Sequence, residues 1–274
     1  MIISVEELKR VMGEHDIVLV DCFSNEHQYL RAHIPSAIKL HGNPDMKAGD
    51  KDNPGILYPE ANEFEKIMYE MGIGANTTVV AYDNDGSLFA SRFLWGLMYY
   101  GHNKVKLLDG GWRAWINLGN PVSIDFHQPK ENPTKFQSKI NHDLVISKDS
   151  LLRNLGNSNT KIIDTRTLDE YQGKDARGNM RSGKVPGAIH IEWTQMLSGS
   201  NPKAEVSFFK PNSEIEEMFK NAEIDKKNHI VPYCQGAVRA CLTAYALVNA
   251  GYDNISVYDG SMKEWANDPL TPLE

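Results

Sequence analysis

The sequence predicts an α/β fold in which one module is used twice. Two observations support this prediction. Four motifs recur in the same order at a separation of about 150 residues, and in both halves short apolar runs alternate with segments of helical periodicity. The repeated pairs are VLVDC (18–22) with KIIDT (161–165), HIPSAI (33–38) with KVPGAI (184–189), VVAYD (79–83) with IVPYC (230–234), and VKLLDGGWRAW (105–115) with ISVYDGSMKEW (255–265).

Taken in chain order, the apolar runs predict three strands in each copy. They are 17–20, 77–82 and 104–108 in the first copy and 161–164, 229–233 and 255–258 in the second. The segments 61–73 and 211–224 lie between strands, and their apolar residues recur every three or four positions, which is typical of amphipathic helices. We therefore expect βαβ units that form parallel sheets with helices on both faces.

A segment rich in proline separates the two copies. Residues 120–142 contain Pro121, Pro129 and Pro133 among mostly polar neighbours, which is typical of a linker. We place the first domain at residues 1–125, the linker at 126–139 and the second domain at 140–274.

Composition excludes several classes of protein. The 274 residues are 41% hydrophobic and 24% charged, as in ordinary globular proteins, and the net charge of −7 argues against a nucleic acid partner. The longest apolar run, 93–100, is far shorter than the roughly 20 residues that span a bilayer, and residues 1–10 do not have the pattern of a secretory signal. Three cysteines are too few for a disulfide framework. We expect a cytoplasmic protein that does not bind membranes.

The loop after the strand 229–233 is the candidate catalytic site, because working sites of open parallel sheets lie beyond the carboxyl ends of their strands. Cys234 follows this strand directly, and a helical segment begins within a few residues. Backbone N–H groups and the helix dipole favour the thiolate form of a cysteine at such a junction. Cys234 is the predicted nucleophile, and the active-site loop after it comprises Gln235, Gly236, Ala237, Val238 and Arg239.

An alternative is that Cys234 is a buried structural thiol, since free cysteines are often buried. For Cys22, which follows a strand, and Cys241, which lies on an apolar helix face, we expect core packing. A resolving role for Cys241 stays open.

These motifs resemble the two-domain rhodanese family, which includes the thiosulfate and 3-mercaptopyruvate sulfurtransferases. The resemblance rests on CQGAVRA (234–240), DGS followed by Glu-Trp (259–265) and VPGAIHIEW (185–193), and it covers nearly the whole chain. It implies two tandem rhodanese-like domains, of which the second is active, and a persulfide intermediate on the cysteine. Neither a metal nor an organic cofactor is implied.

The first copy has lost the residues that this chemistry needs. Asp83 stands where the second copy has Cys234, and Phe89 stands where it has Arg239. From Asp83 to Gly101 there are 18 steps, against 17 from Cys234 to Gly251. Because a carboxylate cannot carry sulfane sulfur, we expect the first domain to be non-catalytic.

The resemblance also implies that arginines just before the VPGAI motif bind the donor anion. Here they are Arg181 first and Arg177 second, and Arg239 adds a positive charge within the loop. Asp164 and its counterpart Asp21 end equivalent strands, so we expect them to be structural. Trp193 fits either a cleft wall or the core.

Three other functions are alternatives to transfer of sulfur from thiosulfate to cyanide or a thiol. Mercaptopyruvate enzymes usually carry a C-G-S-G-V-T loop, whereas Gln235 and Arg239 here favour a compact dianion such as thiosulfate. Cysteine phosphatases have five residues between cysteine and arginine, but only four lie between Cys234 and Arg239. A persulfide carrier that hands sulfur to a protein acceptor uses the same cysteine and stays open.

Overall fold

The computed structural model describes residues 1–23, 26–40, 59–129, 134–199, 201–202 and 205–274. These described residues form two compact units. The first consists of those up to residue 141 together with those between 199 and 209, and the second consists of 142–198 and 210–274. None of the described helices is both long and apolar enough to cross a membrane.

The first unit alternates strands and helices, as the repeats predict. Its elements are β1 Ile2–Ile3, α1 Val5–Val11, β2 Ile17–Asp21, α2 Glu26–Arg31, β3 Ile38–Lys39, α3 Ala61–Glu70, β4 Thr78–Tyr82, α4 Leu88–Tyr99, β5 Val105–Leu108 and α5 Gly111–Asn117. The strands form a sheet in the order β1-β5-β4-β2-β3 in which every pairing is parallel. The predicted parallel sheet flanked by helices is confirmed.

The second unit repeats this arrangement. After a 3₁₀ turn at His142–Leu144 come β6 Val145–Ile146, α6 Lys148–Asn154, β7 Thr160–Asp164, α7 Leu168–Tyr171, β8 Ile189–His190, a second 3₁₀ turn at Trp193–Met196, α8 Asn212–Asn221, β9 His229–Tyr233, α9 Val238–Asn249, β10 Val257–Tyr258 and α10 Ser261–Trp265. Strands β8-β7-β9 and β10-β6 pair in parallel, and a parallel bridge from Ile230 to Ile255 links the two groups. The resulting order, β6-β10-β9-β7-β8, matches that of the first unit.

The helices at the two equivalent positions α3 and α8 form for the same reason. In each, two apolar side chains four residues apart are buried, Phe64 and Met68 in α3 and Ile215 and Phe219 in α8. Four residues are about one helical turn, so these side chains lie on one face and pack against the core. The helical periodicity seen in the sequence is thus explained by burial of a single face.

Strands β4 and β9 place the two loops of interest at the carboxyl edges of their sheets. Each strand ends in a buried tyrosine, Tyr82 or Tyr233, and the next residue is Asp83 or Cys234. The hydroxyl of Tyr82 donates to Asp21 over 2.8 Å, and that of Tyr233 donates to Asp164 over 2.6 Å. These bonds fix the end of each central strand against its neighbour.

The division into a first domain (1–125), a linker (126–139) and a second domain (140–274) stays a proposal for the module boundaries. Within that linker, residues 130–133 lie outside the described part of the chain.

Candidate active site

The active-site loop turns sharply from β9 into α9. Ala237, the residue before the helix, has φ 65, in the left-handed region that few residues other than glycine adopt. Val238 and Arg239 already belong to the first turn of α9. Cys234 is only 2% exposed. The strained turn at Ala237 brings the first N–H groups of the helix close to the end of β9.

The hydroxyl of Ser261 supports the loop. Its oxygen accepts hydrogen bonds from the backbone N–H groups of Cys234 and Ala237, each at 3.1 Å, and its own proton is donated to the carbonyl of Tyr258 over 2.8 Å. Ser261 has φ 52, a strained value for a serine, and this strain is typical of a residue held for a specific contact. Ser261 therefore fixes the loop backbone around the cysteine.

Four other backbone N–H groups, in the loop and at the start of α9, are available to a ligand. Those of Gln235, Gly236, Arg239 and Ala240 have no acceptor in the described part of the chain. Unpaired N–H groups at a helix N-terminus create partial positive charge that favours an anion. Together with Cys234 they form a candidate site for an anionic sulfur species.

Arg239 does not act as a free charge in this site. Its two terminal nitrogens donate to the carboxylate of Glu170 over 2.6 and 2.9 Å. Burial, the largest influence, lowers the pKa of Arg239, but the hydrogen bond to Glu170 and the charges of Cys234 and Glu170 raise it overall. The guanidinium is thus permanently charged and lies close enough to Cys234 to interact with it, but its charge is balanced by Glu170.

The side chain of Gln235 is bound to a neighbouring loop. Its side-chain amide exchanges two hydrogen bonds with that of Asn179, at 2.9 and 3.1 Å. Asn267 donates to the oxygen of Asn179 over 3.1 Å and accepts from the N–H group of Met180 over 2.7 Å. These carboxamides connect the residue after Cys234 to the loop that contains Arg177.

The two arginines predicted to bind the donor differ in their surroundings. The guanidinium of Arg181 donates to the backbone oxygens of Trp265, Ala266, Asp268 and Thr271, so it stabilises the turn after α10. Arg177 is exposed, and in the described part of the chain only its backbone N–H has a partner. The predicted order, Arg181 before Arg177, stays a prediction, and this geometry favours the reverse.

The other candidates lie in the core. Cys22 and Cys241 are fully buried and Trp193 is 5% exposed. All three cysteines are free thiols, and burial together with the nearby acids Asp83 and Asp21 raises the pKa of Cys22 well above its usual value. In the described residues, no three His, Cys, Asp or Glu side chains are grouped as metal ligands would be.

Asp164 has a structural role with a partner that sequence reasoning did not name. Its carboxylate accepts from the backbone N–H of Arg166 over 3.0 Å, from the guanidinium of Arg166 over 2.6 Å and from the hydroxyl of Tyr233. Both ions are buried, with 2% or less of either side chain exposed.

Sequence reasoning missed Glu170 and Ser261. Glu170 is the fourth residue of the sequence Thr-Leu-Asp-Glu, a capping-box pattern, which could have marked it as a buried acid at a helix start. Ser261 stands where the first copy has Gly111, so the difference between the copies is the signal that could have identified it. Nothing in the sequence indicates that these residues contact Arg239 and the loop, because that requires knowing the packing.

Comparison with known proteins relates both units to one domain type. A family model described as a rhodanese-like domain matches residues 4–118 and 147–268. The thiosulfate sulfurtransferase of Azotobacter vinelandii is 28% identical over 100% of this chain and 97% of its own. A putative thiosulfate sulfurtransferase of Mycobacterium tuberculosis is 30% identical over 94% of this chain and 91% of its own.

A solved structure is similar in fold. The anaerobic ergothioneine biosynthesis enzyme from Chlorobium limicola, in complex with trimethyl histidine, superposes with a TM-score of 0.85 at 23% identity. The superposition covers 100% of this chain and 69% of that one. At this identity the likeness concerns the fold alone.

Proposed function

The chain belongs to the rhodanese family, and we propose that it is a thiosulfate sulfurtransferase that works through a persulfide on Cys234. The observation that supports this most directly is the position of Cys234, directly after β9 and at the start of the loop whose N–H groups, with those of the α9 N-terminus, have no acceptor in the described part of the chain. The relatives named thiosulfate sulfurtransferase, which match along almost the full chain, support the choice of donor.

In the first half-reaction the Cys234 thiolate attacks the outer sulfur of thiosulfate. A bond forms between Sγ and that sulfur, the sulfur–sulfur bond of thiosulfate breaks, and its electron pair leaves with sulfite. The negative charge of the thiolate is then on the outer sulfur of the persulfide. The N–H groups of Gly236, Arg239 and Ala240 stabilise this charge as an oxyanion hole would.

In the second half-reaction an acceptor takes the outer sulfur. Cyanide attacks it through carbon, thiocyanate forms, and the electron pair of the broken sulfur–sulfur bond restores the thiolate. A thiol acceptor leaves as its own persulfide. Division of one transfer into two displacements is covalent catalysis with ping-pong kinetics.

The remaining assignments are part of the same proposal. The partners are a small anionic sulfur donor and a thiophilic acceptor, and the three free cysteines favour a reducing compartment such as the cytoplasm. A mercaptopyruvate donor and transfer to a protein acceptor are the alternatives that the assay below distinguishes.

The test is thiocyanate formation from cyanide, measured in parallel with thiosulfate and 3-mercaptopyruvate as donors. We expect turnover with thiosulfate and its complete loss in Cys234→Ser. Cys22→Ser and Cys241→Ser are matched controls, since they make the same substitution at buried thiols, and they should keep most of the activity.

Thermal unfolding of all three variants checks that each is folded. Equal loss of activity in three folded variants would contradict the assignment of Cys234. Turnover with mercaptopyruvate alone would show that mercaptopyruvate, and not thiosulfate, is the donor. Transfer only to a protein thiol would show that the acceptor is a protein and not cyanide or a small thiol.

A further inference from the structure

Glu170 is a buried carboxylate beside the active-site loop that the sulfur-transfer steps do not use. Only 1% of its side chain is exposed. It lies in the first turn of α7 as part of a capping box, in which its carboxylate accepts from the N–H and hydroxyl groups of Thr167 at 3.1 and 2.9 Å. These contacts fix its position independently of any ligand.

From this position Glu170 holds Arg239 through both terminal nitrogens. Paired bonds of this kind orient a guanidinium strongly, because its planar fork matches the carboxylate. Burial, the largest influence, raises the pKa of Glu170, but Arg239 and Thr167 outweigh it and lower the pKa to about 2. Glu170 is therefore ionised at any pH at which the protein works.

Two buried ion pairs lie near the active-site loop. Asp164 pairs with Arg166, and Glu170 pairs with Arg239. Burial, the largest influence, lowers the pKa of Arg166, and the negative charges of Asp164 and Glu170 raise it, so the two pairs are electrostatically coupled. Together the two pairs contribute no net positive charge at the loop.

We propose that Glu170 is a specificity-determining positioning residue, which fixes Arg239 against the loop and cancels its charge at Cys234. At Cys234 an anion is then held by the backbone N–H groups rather than by the charge of Arg239. This limits the affinity of the site for dianions, so that sulfite, itself a dianion, leaves after the first half-reaction. The inference on turnover rests on the proposed function, whereas the effect of Glu170 on anions at Cys234 does not.

The test compares alkylation of Cys234 by iodoacetate, an anion, with alkylation by neutral iodoacetamide. Peptide mapping reports Cys234 separately from the two other thiols. Glu170→Gln removes the charge but keeps a side chain that supports a capping box. The matched control is Asp169→Asn, which removes the adjacent negative charge from a side chain that is 70% exposed.

We expect Glu170→Gln to raise the ratio of the iodoacetate rate to the iodoacetamide rate about fivefold, since an uncompensated cation near the thiol attracts the anion. Asp169→Asn should leave the ratio within about 1.5-fold of the unsubstituted protein, because an exposed charge is screened by solvent. Glu170→Asp keeps the charge and should leave the ratio closer to that of the unsubstituted protein than Glu170→Gln does.

Steady-state kinetics provide the second readout. With thiosulfate, both KM and kcat of Glu170→Gln should fall about fivefold, because tighter binding of the dianion also slows release of sulfite. If Glu170→Gln only disturbed the structure of the site, kcat would fall but KM would not. The effect on KM should be smaller for 3-mercaptopyruvate, whose single carboxylate carries less charge.

An unchanged or lower alkylation ratio in folded Glu170→Gln would overturn the role of Glu170, whatever the activity. If the ratio rises as expected but the unsubstituted protein transfers no sulfur from any donor, the proposed function fails and the electrostatic role of Glu170 stands.

Discussion

After β4 and after β9 the chain makes the same kind of turn into a long buried helix, but different residues follow the strand. Asp83 follows β4 and Cys234 follows β9. The residues that precede the helices, Ser87 and Ala237, have φ values of 68 and 65, so the two backbones turn alike. The two loops thus share one backbone geometry but carry different side chains directly after the strand.

In the first unit the carboxylate of Asp83 fills its own loop. It accepts hydrogen bonds from the N–H groups of Asp85, Ser87 and Ala90 at 2.8–2.9 Å. Burial raises the pKa of Asp83 to about 6 even though these bonds lower it. The N–H groups of this loop therefore bind an internal carboxyl group, in the place where we propose that the second unit stabilises a persulfide.

The residue that contacts the loop from the start of α5 or α10 also differs between the units. A side chain at Gly111 would place its Cβ 2.5 Å from the carbonyl oxygen of Asp83, so glycine is required there. The equivalent Ser261 instead uses its hydroxyl to bind the loop around Cys234. Asp83 replaces this support in the first unit, because it satisfies the loop N–H groups itself.

The largest change in stability should come from loss of the hydrogen bonds within the loop of the first unit. Asp83→Ala leaves three N–H groups without their acceptor and should lower the free energy of unfolding by about 3 kcal/mol. Sulfate, an external anion, should recover part of that loss and should stabilise the unsubstituted protein less. Urea unfolding with and without sulfate measures both.

Asp85→Ala is the matched control, since it removes a neighbouring acid but leaves the Asp83 carboxylate in place, and its cost should stay near 0.5 kcal/mol or below. No recovery by sulfate in Asp83→Ala would mean that the loop of the first unit is not an anion site.

Arg181 and Arg177 should have different roles in the second unit, one in stability and the other in donor binding. Arg181→Ala should lower the free energy of unfolding by about 2 kcal/mol, because several backbone oxygens lose their donor. Arg177→Ala should leave stability unchanged and raise KM for thiosulfate about fivefold, since an exposed cation is lost. Urea unfolding and steady-state kinetics on the same variants separate the two roles.

If Arg181→Ala raises KM at unchanged stability, the order predicted from the sequence is right and the one favoured by the geometry is wrong.

The strand-end acids, Asp21 and Asp164, also differ between the two units. Arg166 neutralises Asp164, but the first unit has Phe23 in the place of that arginine. Burial raises the pKa of Asp21 to about 7 against hydrogen bonds from Tyr82 and Phe23 that lower it. The second unit thus pairs its buried acid with an arginine, whereas in the first unit burial brings the pKa of the acid close to neutrality.

Because its pKa is raised on folding, Asp21 stabilises the folded state at low pH and loses this contribution as pH rises towards 7. The free energy of unfolding should fall by about 1 kcal/mol per pH unit between pH 4 and 7. Asp21→Asn should flatten the upper part of this slope, above the pKa of about 6 that remains at Asp83. Urea unfolding at several pH values measures it, with Asp16→Asn, an exposed acid, as the control. An unchanged slope would show that Asp21 is ionised throughout.

The sequence alone predicts the fold of both units and the position of Cys234. The repeats and the alternation of apolar runs with helical segments predict two parallel α/β modules, because burial of one helix face and of both sheet faces requires those patterns. The position of Cys234 follows from the same logic, since a residue directly after a buried strand lies at the carboxyl edge of the sheet.

The state of each charge, by contrast, depends on how the chain packs. The sequence presents Arg239, Arg181 and Asp164 as charged groups near a loop, but the folded chain pairs Arg239 with Glu170, uses Arg181 to hold a turn and joins Asp164 to Arg166. A pattern of apolar residues fixes where strands and helices lie, because burial depends on residue type. Charge pairing depends on distances of a few ångströms between distant parts of the chain, which only packing determines.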